Sequence, residues 1–159
     1  EPAPARLDRI YGRFRTGLAE RLTRARPLSL PGVRQAFQRL HAAGIRVAMA
    51  SGFDRQIVDL VPADVDWAEL LDARVCSEDV SQGRPAPCMI FQAMERTAVR
   101  DVHRVAVVGD TVLDLEAGWN AGVAYRIAVL TGAHDVATLS AAPQTHVMNS
   151  VAEVPELWL

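Results

Sequence analysis

Two carboxylates, a hydroxyl and a guanidinium are the groups of this sequence whose types and spacing suit chemistry. Asp110 and Asp114 lie in the run VAVVGDTVLDLEAGWNAG, residues 105–122. A β-branched stretch breaks at Gly109 and places Asp110 in the break, and Asp114 follows one helical turn later. Such a run predicts a strand buried on both faces. Behind it, Leu115 and Trp119 share the spacing of one helix face, and Gly122 is placed to close that helix. Carboxylates at the end of a buried strand are costly unless paired or bound to a positive group. That end is also where open α/β sheets hold their ligands.

Two other loops can supply partners, Ser51-Gly52 and Gly83-Arg84-Pro85. In a parallel sheet the carboxyl ends of the strands line one edge, so loops distant in sequence converge there. A hydroxyl, backbone N–H groups and a guanidinium suit a phosphoryl group. Paired carboxylates suit Mg²⁺, a hard ion that takes few protein oxygens and keeps waters. Together these are the parts of a metal-assisted phosphoryl-transfer site. Each has a plainer alternative. Thr111 and Asp114 also fit a helix capping box, which leaves Asp110 unexplained. Ser51 alone reads as a strand end or turn, and Arg84 alone as a solvated surface residue. His134, after Thr131-Gly132, is within reach of the same edge, yet a lone loop histidine is more often structural. Cys88 and Met89 read as helix packing.

The composition narrows the class. A chain of 159 residues, half apolar and 23% charged, is one domain with a real core. A net charge of −2 gives no reason to expect nucleic-acid or membrane-surface partners. All 17 basic residues are arginine, so the chain offers no Schiff-base lysine. Cys76 and Cys88 have neither metal-ligand spacing nor a disulfide framework, which points to a reducing, cytoplasmic setting. No apolar run approaches the ~20 residues that span a bilayer, and no signal-peptide pattern opens the chain. The opening EPAPAR lacks Met and reads like linker, as if the chain were entered mid-way.

Strands and helices alternate along the chain. Leu7, Ile10, Tyr11, Phe14, Leu18 and Leu22 predict an amphipathic helix over 7–22 that must cover some surface. Pro27 and Pro31 break the chain, with 28–30 as linker. A helix over 32–43, with Val33, Phe37 and Leu40 inward, stops at Gly44. A strand over 45–50 runs into Ser51, and Asp54 caps a short helix to Val61. One helical turn is expected within 62–72, a strand over 74–76, a polar loop over 77–85 and a helix over 87–96. Strands over 105–108, 125–130 and 145–148 follow, with helices after Asp110, over 136–142 and over 151–157. This alternation predicts an α/β fold with a doubly wound parallel sheet.

Taken in order, the loops resemble the haloacid dehalogenase superfamily, in its phosphonatase-like branch of phosphonoacetaldehyde hydrolases and relatives. The second motif of that branch is similar to Ser51-Gly52-Phe53. The third is similar to Gly83-Arg84-Pro85-Ala86-Pro87-Cys88-Met89. The fourth is similar to Gly109-Asp110-Thr111 with Asp114, Gly118 and Asn120-Ala121-Gly122. The resemblance implies a Rossmann-like core over 27–159 and, over 1–26, the last part of a helical cap. It implies Asp110 as Mg²⁺ ligand, and Asp114 as the carboxylate that holds the metal's waters or the basic residue. It implies Ser51 and Gly52 at the phosphoryl oxygens, and Arg84 neutralising nucleophile and phosphoryl charge. The expected activity is hydrolysis of a small phosphonate or phosphate ester through an aspartyl-phosphate. A generic small-molecule phosphatase and a non-catalytic binding or regulatory module are the alternatives. A receiver-like phosphate-binding domain would leave residues 83–89 unexplained. A homodimer is compatible with the sequence.

One departure is large. The first motif of the family, D-x-D or D-x-A-G-T with the nucleophilic Asp on the first strand, is not found ahead of Ser51, and no D-x-x-G-T occurs in this sequence. That strand is expected between the ones at 45–50 and 105–108. Its omission exposes inner-edge N–H and C=O groups at a cost on the order of 1–3 kcal/mol each when buried. Folding stability is only roughly 5–15 kcal/mol. The expectation is therefore that the working molecule is longer, or that another chain supplies the strand, and that these residues alone are inactive. In phosphonatases the cap also carries a Schiff-base lysine, so C–P and P–O cleavage stay unseparated.

Overall fold

A computed structural model describes residues 4–24, 29–60 and 65–159 of the chain. Pro27 and Leu28 of the expected linker, Val61 at the end of the expected short helix, and Pro62, Ala63 and Asp64 lie outside them. The elements in order are α1 (Pro4–Arg24), α2 (Val33–Ala42), β1 (Ala48–Ala50), α3 (Arg55–Leu60), β2 (Ala73–Val75) and α4 (Cys88–Arg96). They continue with β3 (Ala106–Gly109), α5 (Val112–Ala121), β4 (Tyr125–Val129), α6 (Val136–Ser140) and β5 (His146–Met148). A 3₁₀ helix, Val151–Leu157, closes the chain. Among the described residues no helix is long and apolar enough to cross a membrane.

The strands are all parallel, and the described ones form two sheets, β1-β2 and β3-β4-β5. In these sheets β1 pairs on one side with β2, and β3 on one side with β4. The core lies between helices and strands on both sides of this division. Ile90 of α4 packs with Ala117 and Ala121 of α5 and with Val123, against Met94, Val105 and Val107. Leu115, Ala128 and Leu139 form a second cluster joining α5, β4 and α6. The alternation read from the sequence is present, and so is the α/β class.

The local departures have local causes. The strand expected from Ile45 begins only at Ala48. The Ile45 N–H still closes α2 on the Leu40 carbonyl at 2.9 Å, and the Val47 N–H is taken by the Asp72 side chain at 2.8 Å. Trp119 does not share the buried face of Leu115. It is 62% exposed while Leu115 is fully buried, and the Arg126 guanidinium lies 5.2 Å over its ring. The loop over 77–85 contains a 3₁₀ turn, Ser77–Asp79. Helix α1 is longer than the expected 7–22, running from Pro4 to Arg24; Ile10, Tyr11 and Phe14 stay about half exposed, and α1 packs mainly on α3.

Two carboxylates tie the β1-β2 unit together. Asp72 accepts from the Val47 N–H, Arg46 at 2.8 Å and His41 at 2.9 Å. Burial works against its charge, yet these partners hold the carboxyl below its ordinary range. Asp79 accepts from Arg55 and Arg96 and from the Cys76 N–H. Its carboxyl is held well below the usual range, chiefly by Arg96. Hydrogen bonds to charged groups contribute about 1.5–3 kcal/mol each, so Asp79→Asn is expected to destabilise the protein by about 2 kcal/mol at pH 7. A depressed carboxyl stabilises above its unfolded pKa of about 4 and loses that contribution as pH falls through its folded value. The gap between wild type and Asp79→Asn in urea unfolding should therefore shrink steadily below about pH 4.

Candidate active site

The site is assembled at the carboxyl ends of β1 and β3. Ser51 leaves β1 with its N–H still on the Val75 carbonyl, 2.9 Å. The Phe53 N–H donates to Ser51 Oγ at 3.2 Å. That bond occupies a lone pair of the hydroxyl and leaves its O–H free to donate. Gly52 stands beside the guanidinium: a Cβ built there would lie 3.1 Å from Arg84 Nη2. Arg84 comes from the loop ahead of α4, and the Asn120 amide of α5 donates to the next carbonyl, Pro85, at 2.9 Å.

The other half belongs to β3 and α5. Asp114 is buried at 8% exposure. Its Oδ2 accepts from the Thr111 N–H at 3.0 Å and from Thr111 Oγ1 at 2.7 Å. Its Oδ1 pairs with Arg84 Nη1. The capping and site readings of this carboxylate are thus met together, one oxygen for each. Gly109 is required for the approach, because a Cβ there would sit 2.3 Å from Asp114 Cβ. Ser51, Gly52, Arg84 and Asp114 therefore converge as the strand ends require.

Asp110 faces a different neighbour, the loop after β4. The Ala133 N–H donates to Asp110 Oδ2 at 2.7 Å, and the His134 N–H to the Asp110 carbonyl at 3.2 Å. His134 Nδ1 accepts from the Val112 N–H in the first turn of α5, 3.2 Å. That bond requires the proton on Nε2 in the neutral ring. His134 is thus a strut at the site edge. Gly132 carried no weight in the sequence reading, yet a Cβ there would fall 2.0 Å from Asp110 Oδ2. The signal that finds it is topological: β4 neighbours β3, so the loop leaving β4 must pass the residue that leaves β3.

The haloacid dehalogenase-like hydrolase family matches residues 8–122. This chain belongs to that family. A phosphonoacetaldehyde hydrolase of Bacteroides fragilis is 31% identical over 135 residues, covering 82% of this chain and 51% of that protein. The chain thus spans about half the length of this relative. Among solved structures, a phosphonoacetaldehyde hydrolase-like protein from Oleispira antarctica superposes with a TM-score of 0.83 at 20% identity, over 98% of this chain and 64% of that one. CbbY from Rhodobacter sphaeroides in complex with phosphate gives 0.79 at 19% identity, over 97% and 68%. These likenesses establish the haloacid dehalogenase-like fold.

The donor set can be tested against a hard cation. Among the described residues no group of three His, Cys, Asp or Glu side chains is placed to hold a metal. Asp110 fits as one ligand, since Oδ1 is not engaged by the hydrogen bond that holds Oδ2. Both Asp114 oxygens are committed to Thr111 and Arg84, which fits the holder of the basic residue better than a direct ligand. Mg²⁺ takes one or two carboxylates and keeps several waters, so the arrangement fits that ion with Asp110 as its ligand.

The close approaches give a stability test. Gly132→Ala drives a methyl into the Asp110 carboxylate and is expected to cost about 1–3 kcal/mol. Gly83→Ala, with open space around it, is expected to stay within about 0.5 kcal/mol. Urea unfolding of the two variants reads the difference.

Proposed function

We propose that this chain is the core half of a Mg²⁺-dependent phosphoryl hydrolase of the phosphonatase-like kind, acting on a small phosphonate or phosphate ester. The observation that supports it most directly is the convergence of Ser51, Gly52 and Arg84 with the Asp110–Asp114 end of β3. In this reading residues 1–26 belong to a cap and 27–159 to the Rossmann-like core.

Each side chain has a distinct task. Ser51 donates its free O–H to a phosphoryl oxygen. Arg84, anchored on Asp114 through one nitrogen, turns its remaining N–H groups to the phosphoryl group and neutralises its charge. Asp114 fixes the direction of that guanidinium. Asp110, held by Ala133 and the His134 strut, presents a carboxylate oxygen to Mg²⁺. When bound, Mg²⁺ would screen the charge of the phosphoryl oxygens and so ease attack by an anionic nucleophile. The nucleophile would be an Asp on a strand received between β1 and β3, each of which pairs on one side only among the described residues. Its carboxylate attacks phosphorus and expels the leaving group, and water then hydrolyses the acyl phosphate.

The chain contains no lysine. C–P cleavage by way of a Schiff base would need an amine from outside these residues, whereas P–O cleavage needs none. Assay of the protein with its nucleophile-bearing segment, with Mg²⁺, against phosphonoacetaldehyde and a panel of phosphomonoesters separates the two. Asp110→Asn is expected to lower kcat/KM at least about 10²-fold, and Arg84→Ala comparably. Chelation of divalent metal should abolish turnover and added Mg²⁺ restore it. Full activity in Asp110→Asn would overturn its assignment.

A further inference from the structure

Asp54 and Asp114 are the buried charged residues among those described, at 5% and 8% exposure. Asp114 belongs to the site. Asp54 lies in the segment that directly follows Ser51-Gly52-Phe53, and nothing so far has used its charge. Its Oδ1 caps α3 by accepting from the Ile57 N–H at 3.1 Å. A neutral Asn or Ser caps as well, so the cap does not explain a buried carboxylate. Its Oδ2 has no hydrogen-bond partner of good geometry. Among the described residues its cationic partner is Arg15 of α1, with Nε at 2.8 Å.

The same stretch of α1 makes two further holds on this segment. Arg15 Nη2 donates to Gln56 Oε1 at 2.9 Å. The Phe14 ring stacks on Phe53 at 6.4 Å between centroids, 26° between planes. On its other side the loop is pinned to the core, where Ser77 donates from N–H and Oγ to the Phe53 carbonyl, both 3.1 Å. Residues 51–54 are therefore gripped from one side by the core and from the other by α1. Removing the Arg15 charge with α1 still seated leaves the Asp54 carboxylate buried and unpaired, which is strongly unfavourable, and lifting α1 from α3 takes that cation away. It also removes one of the two supports of Phe53, whose N–H sets Ser51 Oγ.

We infer that Arg15, acting through Asp54, is a positioning residue for the Ser51-Gly52 loop, so that the seating of α1 sets how well this loop binds a phosphoryl group. This rests on the phosphoryl-hydrolase reading for its functional consequence, but its mechanical part does not. The test compares wild type with Arg15→Gln, Arg15→Lys, Asp54→Asn and the double variant Arg15→Gln/Asp54→Asn, in the protein carrying its nucleophile-bearing segment. Loss of positioning without loss of chemistry predicts that Arg15→Gln raises KM, and the Ki of inorganic phosphate, about tenfold with kcat within about twofold. Arg15→Lys should recover part of that loss. Amide hydrogen exchange over residues 51–58 should quicken in Arg15→Gln. Because Asn keeps the α3 cap and needs no cation, the double variant should be no worse than Asp54→Asn alone. Unchanged exchange and phosphate Ki in Arg15→Gln, or strictly additive effects in the double variant, would overturn the inference. A wild type without hydrolase activity would overturn the functional reading instead, and the exchange comparison would still decide whether Arg15 holds the loop.

Discussion

The pairing of Asp114 with Arg84 is the interaction on which the candidate site depends, because it crosses a division in the backbone. The described strands form two sheets, with no ladder between β1 and β3. Whatever aligns Ser51 with Asp110 must therefore be carried by side chains and by helix packing. Arg84 reaches from the loop ahead of α4, and Asp114 from the first turn of α5. The Asn120–Pro85 bond and the apolar contact of Ile90 with Ala117 and Ala121 run parallel to it. These links set the spacing of the two halves. A charge pair removed from water is held more tightly to one geometry than a surface pair, because a misplaced partner leaves a buried charge unmet.

The crowding around the two site carboxylates follows from the same need. Asp114 has Gly109 against its Cβ, Thr111 on one oxygen and Arg84 on the other. Asp110 has Gly132 against its carboxylate and the Ala133 N–H on one oxygen. Each is fixed by backbone donors and close neighbours, and each keeps one direction for a charged partner. That is how a fold holds negative charge at a strand end without collapsing the site onto it.

Much of this was legible in the sequence, and the reason is specific. Ser51-Gly52, Arg84 and Asp110/Asp114 stand out by their order along the chain, which resembles one family's motifs, and the parallel topology supplies their convergence; taken singly, Ser51 reads as a turn and Arg84 as a surface residue. The helical turn expected over 151–157 is present as a 3₁₀ helix, and the stop expected at Gly122 takes the αL conformation; both follow from local sequence. Gly132 was not legible, because its meaning lies in a neighbour one strand away, whereas the structural reading favoured for His134 agrees with its hydrogen bonds to Val112 and Asp110. The four-residue spacing of Leu115 and Trp119 does not tell which of them is buried: Leu115 is in the core, while the exposed Trp119 ring has the Arg126 guanidinium over it. Asp54 was read as a cap, which it is. Its pairing with Arg15 joins residues 39 positions apart, and no local pattern announces that.

The choice of arginine at position 84 follows from the geometry. The guanidinium presents donors along two edges of a rigid plane, whereas an ammonium is a point charge. Here Nη1 is spent on Asp114, and Nη2 lies along the Gly52 side of the loop. One side chain therefore anchors to the acidic half and reaches the hydroxyl half without changing rotamer. A lysine tied to Asp114 would have its single nitrogen drawn to that carboxylate and would reach Gly52 only by leaving it. The absence of lysine from the whole chain is compositional elsewhere, but at position 84 the fork is what lets one residue span the division between the two sheets.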